Sequence, residues 1–293
     1  MGVKTVINAA GRRVPLQING QAVVPFKGVG KHRPSGLKYA PPIPSCADFP
    51  ADGNKLAGSL EEALRKCGLR DGMTISTHHH LRDGDLISNK IFEIASSMGV
   101  KDLVWFPSAS FPCNDPVIKY LEDGTINRIE GSMNGPLGRF VSEGRMKGTA
   151  VLRSHGGRVQ AIQDGEVKID IAVLAAPTAD HFGNAKGTGG PSSCGVIGYG
   201  KPDSMYASKV IIVTDNLVDF PCYPMEIEGN YVDYVWWLTK SDFPRKLYQA
   251  QLRSTKAPTG YLLLNSQPPS LKNQEYCMMV LQCRQGQAVH HWQ

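Results

Sequence analysis

The chain has 293 residues, 41% hydrophobic and 20% charged, with a net charge of +6, enough for one large or two modest globular domains. No apolar run approaches the ~20 residues of a membrane helix, Met1 to Ala10 lacks the apolar core of a secretory signal, and no basic run interleaved with aromatics points to nucleic acid. The seven cysteines are odd in number and lack CxxC spacing, which implies reduced thiols in a cytoplasmic protein, and the modest positive charge fits an anionic ligand such as a phosphate-bearing one.

Met1 to Gly58 is rich in Gly and Pro, and Pro41-Pro42-Ile43-Pro44 cannot lie inside a helix, so residues 1–58 read as an irregular arm. Ser59 with Glu62 forms a capping box for a helix that Gly68 ends. Met73 to Ser76 is a short buried strand. It runs into His78-His79-His80, Arg82 and Asp83, and then into a helix from Leu86 to Met98. Strand, polar loop and helix make the half-unit from which open parallel sheets build ligand sites beyond the strand's carboxyl end. Asp102 to Phe106 is a second strand and ends in a small-residue loop, Pro107 to Ser110. Pro116 to Glu122 reads as a helix with Pro at its first position. A strand over Thr125–Ile129, a helix over Leu137–Arg145 and a strand over Ala150–Arg153 follow, the last leading into the loop Ser154 to Arg158. Ile169 to Ala176 is an apolar run broken only by Asp170, as expected of a strand covered on both faces. Val210 to Thr214 and Val232 to Leu238 are further buried strands. The alternation predicts an α/β domain over residues 59–238, with a mainly parallel open sheet and helices on both faces.

The strand ends carry the candidate chemistry. His78, His79, His80, Arg82, Ser108, Arg153, His155, Gly156, Gly157, Arg158, Asp180, Gly183 and Asn184 all fall in loops that such a sheet gathers along one edge. Arg82, Arg153 and Arg158 suit carboxylate or phosphate. Gly156-Gly157 and Gly187, Gly189 and Gly190 would admit backbone N–H groups to an anion. His155 reads equally as an acid/base or as an interior histidine joining two loops. The histidine run has no Cys/His partner set, so no metal site is expected. Walker A, G-x-G-x-x-G and G-x-S-x-G sequences are absent, which disfavours nucleotide hydrolysis, ordinary dinucleotide binding and serine hydrolase chemistry. Cys194 lacks an adjacent activating histidine and reads as a buried thiol rather than a nucleophile.

Asp71 to Asp85, Arg153-Ser154-His155-Gly156-Gly157-Arg158, Ala176 to Asn184 and Val232 to Val235, in that order, resemble the citrate lyase α-subunit family, a citrate CoA-transferase component. The pattern Ala179-Asp180 then Gly183-Asn184 is also similar to one in CoA-transferases more widely, with His78 to Arg82 in place of the loop that approaches CoA. The resemblance implies exchange of acetyl for citrate on CoA or on an acyl carrier protein, giving a citryl thioester. It implies the lyase β subunit and the γ carrier as partners, CoA or a phosphopantetheine-type arm as thioester substrate, and no permanently bound cofactor. Members of the family consist of two similar α/β halves. The match here covers the first, and CoA-transferases that use a glutamyl intermediate carry that glutamate in the second, so no catalytic residue is assigned.

Residues 239–293 read as a segment outside the family, with eight glutamines against four in all preceding residues. Leu247 to Gln267 can be back-translated so that a neighbouring frame resembles the family's continuation, which makes a frameshift near Phe243 the expectation. The alternative to a transferase is a truncated domain that binds CoA or partner subunits without turnover. A third reading is a sugar-phosphate isomerase-like protein on the same kind of sheet.

Overall fold

A computed structural model describes residues 4–27, 50–78 and 86–238, all within one compact unit, Met1–Leu252. The arm is not wholly irregular. Strands β1 (Thr5–Ile7) and β2 (Arg13–Pro15) form an antiparallel ribbon, and β3 (Gln17–Ile18) and β4 (Gln21–Ala22) form another. Its Asn19 side chain donates to the Gly148 carbonyl, and Gln21 Oε1 accepts from Arg128 and Thr149, so polar contacts seat the arm on the main body.

Leu56–Ala57 (β5), within the stretch predicted as arm, instead forms an edge strand of the main sheet. Helix α1 (Leu60–Lys66) follows. The Ser59 hydroxyl caps it by accepting the Glu62 N–H at 3.0 Å, while the Glu62 carboxylate reaches back to the Gly58 N–H rather than to that of Ser59. Gly68, at φ +72°, ends the helix as predicted. Removing the cap in Ser59→Ala is expected to cost about 1 kcal/mol in denaturant unfolding, with no change in the slope of the transition.

The body then alternates, as the sequence predicts for all but α5: β6 (Thr74–Thr77), α2 (Ile87–Ser97), β7 (Leu103–Pro107), α3 (Ile118–Glu122), β8 (Ile126–Glu130), α4 (Gly135–Ser142), β9 (Thr149–Val151), α5 (His155–Gln163) and β10 (Ile171–Ala175). Pro116 does not open α3. The 3-10 turn begins at Pro112 and contains Pro116, and α3 continues from it. After β10 come β11 (Thr178–Asp180), β12 (Ala185–Lys186), α6 (Gly200–Tyr206), β13 (Lys209–Thr214), β14 (Leu217–Val218) and β15 (Tyr234–Trp237).

Eight strands make one sheet in the order β5-β15-β13-β10-β6-β7-β8-β9, with every pairing parallel. Period-2 alternation divides its side chains between two cores. Ile171, Val173, Ile211, Val213 and Trp105 face the layer holding α1 to α4. Ala172, Leu174, Val210, Ile212 and Phe106 face the opposite layer, where α5 supplies Ala161 and Ile162. Burial on both faces is why these strands read as continuous apolar runs. A smaller sheet, β12-β11-β14, adds Ala179 and Ala185 to the second core.

The chain builds rightward from β6 to β9, then returns to the other side of β6 with β10, β13 and β15. The sheet therefore reverses its winding between β6 and β10. In open parallel sheets, the crevice beyond the carboxyl ends at such a point is where ligands bind.

Candidate functional site

At the carboxyl end of β6, His78 is only 2% exposed. It lies against Gly200 at the start of α6, where an added Cβ would sit 3.1 Å from His78 Nε2. Beside this point α5 and the segment before α6 enclose a cleft of about 560 Å³. His155, Val159 and Pro202 line it on the helices, and Val196, Ile197, Gly198 and Tyr199 on the connecting segment. The His155 and Tyr199 rings lie 5.4 Å apart. A second groove, lined by Arg70, Asp71 and Gly99 among others, opens at the amino ends of β6 and β7, the edge on which such sheets do not place ligands.

Ser154 caps α5 by accepting the Gly157 N–H at 3.1 Å. The sequence predicts only a loop here, but a cap before His155 and a terminating Gly165 at φ +73° bound a nine-residue helix. Its first turn carries N–H groups without intrahelical partners, and an added Cβ on Gly156 would meet nothing within 4 Å. The first turn of α5 is therefore open to an oxygen-rich ligand.

Beneath the cleft lies a buried polar cluster. The Arg158 guanidinium donates to both carboxylate oxygens of Asp203 at 2.7 and 2.8 Å, to Ser76 Oγ at 2.8 Å and to the Phe106 carbonyl at 3.2 Å. Ser76 Oγ donates to Asp203 at 2.5 Å. Arg158 is 2% exposed and Asp203 0%. The guanidinium also lies 4.2 Å from the Phe106 ring centroid and 5.4 Å from that of Tyr199. Burial pushes the Tyr199 phenol above its ordinary pKa; Arg158 opposes this and Asp203 adds to it, so the phenol is neutral near neutral pH.

The structure thus brings His78, His155, Gly156, Gly157 and Arg158 to one region, with Arg158 as a support beneath the cleft rather than a carboxylate receptor. Ser108 follows β7 and donates its N–H to Thr77 O at 3.1 Å, beside the β6 terminus. His79, His80 and Arg82 lie outside the described residues. Arg153 is not free for a ligand, because Glu130 and Glu166 bind it at 2.7 and 2.9 Å. Burial alone would lower its pKa, but those two carboxylates outweigh it and hold the charge more firmly.

Asp180, Gly183 and Asn184 form a turn that satisfies itself. Asp180 accepts the N–H groups of Phe182, Asn184 and Cys222 and the Asn184 side-chain amide, while Asn184 Oδ1 accepts the Gly229 N–H. Gly183, at φ +94°, has Val232 where a Cβ would go. Arg153 and Asn184, expected on a shared rim, both fall outside the cleft lining. The glycines at 187, 189 and 190 likewise accommodate close chain packing, against Gly195 O, Thr178 and Asn216 respectively. Cys194 is not poised as a nucleophile, since burial, with Glu226 adding to it, pushes its thiol up to about 12.

Residues 53–288 match the family described as citrate lyase, alpha subunit. The chain belongs to the citrate lyase alpha-subunit family. The matched span runs past Leu238 and includes most of the glutamine-rich closing segment. The citrate lyase alpha chain of Klebsiella pneumoniae is 39% identical over 210 residues, 71% of this chain and 41% of that one. The Escherichia coli K12 citrate lyase alpha chain is 36% identical over 227 residues, 77% of this chain and 44% of that one. This member of the citrate lyase alpha family thus spans less than half the length of the curated relatives it matches. A Streptococcus mutans protein described as an alpha subunit of citrate lyase, solved in complex with citrate, superposes with a TM-score of 0.66 at 38% identity, covering 69% of this chain and 40% of that one. An acyl-CoA transferase from Escherichia coli O157:H7, in a thioester complex with CoA, shares the fold at a TM-score of 0.50 and 12% identity, covering 64% of this chain and 48% of that one.

Proposed function

We propose that this chain supplies the thioester-holding α/β half of a citrate CoA-transferase, in which the thiol of CoA or of an acyl carrier arm passes from acetyl to citrate. The observation that carries this reading is the cleft at the sheet's reversal point, on a fold shared with an acyl-CoA transferase. The described lining holds no Asp, Glu, Lys or Arg and is mostly apolar, with a tyrosine and a histidine as its polar side chains. That chemistry suits the pantetheine portion of a thioester, which is alkyl and amide rather than charged. The N–H groups at the first turn of α5 can receive a thioester oxygen or a phosphate.

Arg153 and Arg158 are paired to carboxylates, so citrate's negative charge needs other receptors. Arg82, in the His78-to-Asp83 sequence, remains the proposed one. The lyase β subunit and the acyl carrier protein are the proposed partners, receiving and supplying the thioester in the cytoplasm.

Calorimetric titration with acetyl-CoA tests the reading. Tyr199→Ala and His155→Ala are each expected to weaken binding about tenfold, or about 1.4 kcal/mol, with an unchanged far-UV spectrum. Failure of the unaltered chain to bind acetyl-CoA, or variants that bind it equally well, would overturn the assignment. Citryl-CoA formed from acetyl-CoA and citrate separates turnover from binding alone.

A further inference from the structure

The connecting segment that forms one wall of the cleft is itself a closed loop, and one side chain bridges its two ends. Gly187 and Ile197 stand at its two ends. One carboxylate oxygen of Glu226 accepts the Gly187 N–H at 2.9 Å, and the other accepts the Ile197 N–H at 2.8 Å. Across the neck, the Gly187 carbonyl accepts the N–H groups of Cys194 and Gly195 at 2.9 and 3.1 Å. An added Cβ on Gly187 would lie 1.7 Å from the Gly195 carbonyl oxygen, so the two ends of the loop touch there. The middle of the loop is tied as well, since Ser192 Oγ donates to the Asp215 carboxylate beyond β13. Glu226 is held in its turn, because its N–H donates to Ala185 O at 2.8 Å and Ile227 bridges to Ala185. The loop delivers Val196, 81% exposed, and buried Ile197 to the cleft, and the chain continues directly into Tyr199 and α6.

We propose that Glu226 is a positioning residue for the cleft. By bridging both ends of the Gly187–Ile197 loop it fixes the distance between the Val196–Tyr199 wall and the α5 wall that carries His155 and Val159. That distance sets how bulky an acyl thioester the cleft accepts. The inference rests on the cleft as the thioester site, but the tie itself is measurable without any ligand. A glutamate suits the task because a carboxylate accepts on two oxygens at once. Glutamine offers one acceptor and turns a donor toward the other N–H, and alanine offers neither.

The test uses the full chain with Glu226→Ala and Glu226→Gln. Amide hydrogen exchange, read on peptides covering residues 187–198, is expected to quicken at least tenfold in the alanine variant and less in the glutamine variant, while β10 and β13 keep their protection. Affinity is then compared for acetyl-CoA and hexanoyl-CoA. A displaced wall is expected to weaken acetyl-CoA about tenfold and hexanoyl-CoA much less, whereas general loss of structure would weaken both alike. Unchanged exchange in Glu226→Ala overturns the tie. Faster exchange with an unchanged ratio of the two affinities overturns the positioning role. A wild-type chain that binds neither thioester overturns the functional reading and the positioning role with it, and the exchange rates then describe the loop alone.

Discussion

Asp203→Ala is expected to destabilise the folded unit by about 3–5 kcal/mol, because it leaves the Arg158 guanidinium buried without its counter-charge. The pair is inaccessible to water, and three elements meet at it: α5 through Arg158, α6 through Asp203, and β6 through Ser76. The loss should appear as a lower denaturant midpoint in a transition of unchanged steepness. Converting both partners together, as in Arg158→Met with Asp203→Leu, is expected to recover much of it, since a buried ion pair adds little over well-packed apolar groups. The recovered double variant should still bind acetyl-CoA less tightly, because Tyr199 leans on the guanidinium. A single-variant loss under about 1 kcal/mol would show that water reaches Arg158.

Trp105→Ala is the second large effect, also about 3–5 kcal/mol. The indole is fully buried in β7, packs edge-on against Phe92 of α2 at 5.4 Å, and donates its N–H to Thr77 Oγ1 at 3.0 Å. Its removal opens a cavity between β7 and α2 and takes a hydrogen bond from the last residue of β6, next to His78. Trp105→Phe retains most of the packing but not the donor. The difference between the two variants therefore isolates the packing, while the loss in Trp105→Phe itself reports the hydrogen bond, which is expected to account for about 1 kcal/mol. Thermal or chemical unfolding measures both, and equal losses in the two variants would assign the whole effect to the indole N–H.

The central strands were legible because burial on both faces leaves a run such as Ile171 to Ala176 with no polar interruption. The first helix was legible because Ser59, Glu62 and Gly68 mark its ends. The second layer was less so. Helix α5 begins with two glycines after His155 and shows little apolar periodicity, and α6 is short, with Pro202 in its first turn. A window scan passes over both, although Ser154 and Gly165 bracket the first. The site followed the same division. The sequence directs attention to the loops at the carboxyl ends, but a linear sequence does not reveal which arginines are already paired. Arg153 and Arg158 invite a carboxylate ligand until Glu130, Glu166 and Asp203 are found beside them. Tyr199, Asp203 and Glu226 carried no motif, since their roles arise only when α6 and the Gly187–Ile197 loop fold against β6.

Leu56 pairs with Val235, so among the described residues the first strand of the main sheet to be synthesised joins the last. The Lys55 ammonium, 1% exposed, donates to the carbonyls of Gly229 and Val232, residues that leave the ribosome just before that last strand. While the chain is growing, this lysine and the edge beside it wait for their partners as the central strands emerge. Completion of the edge thus waits until residues 229–235 have been made, and the nascent protein exposes an unpaired strand margin until then.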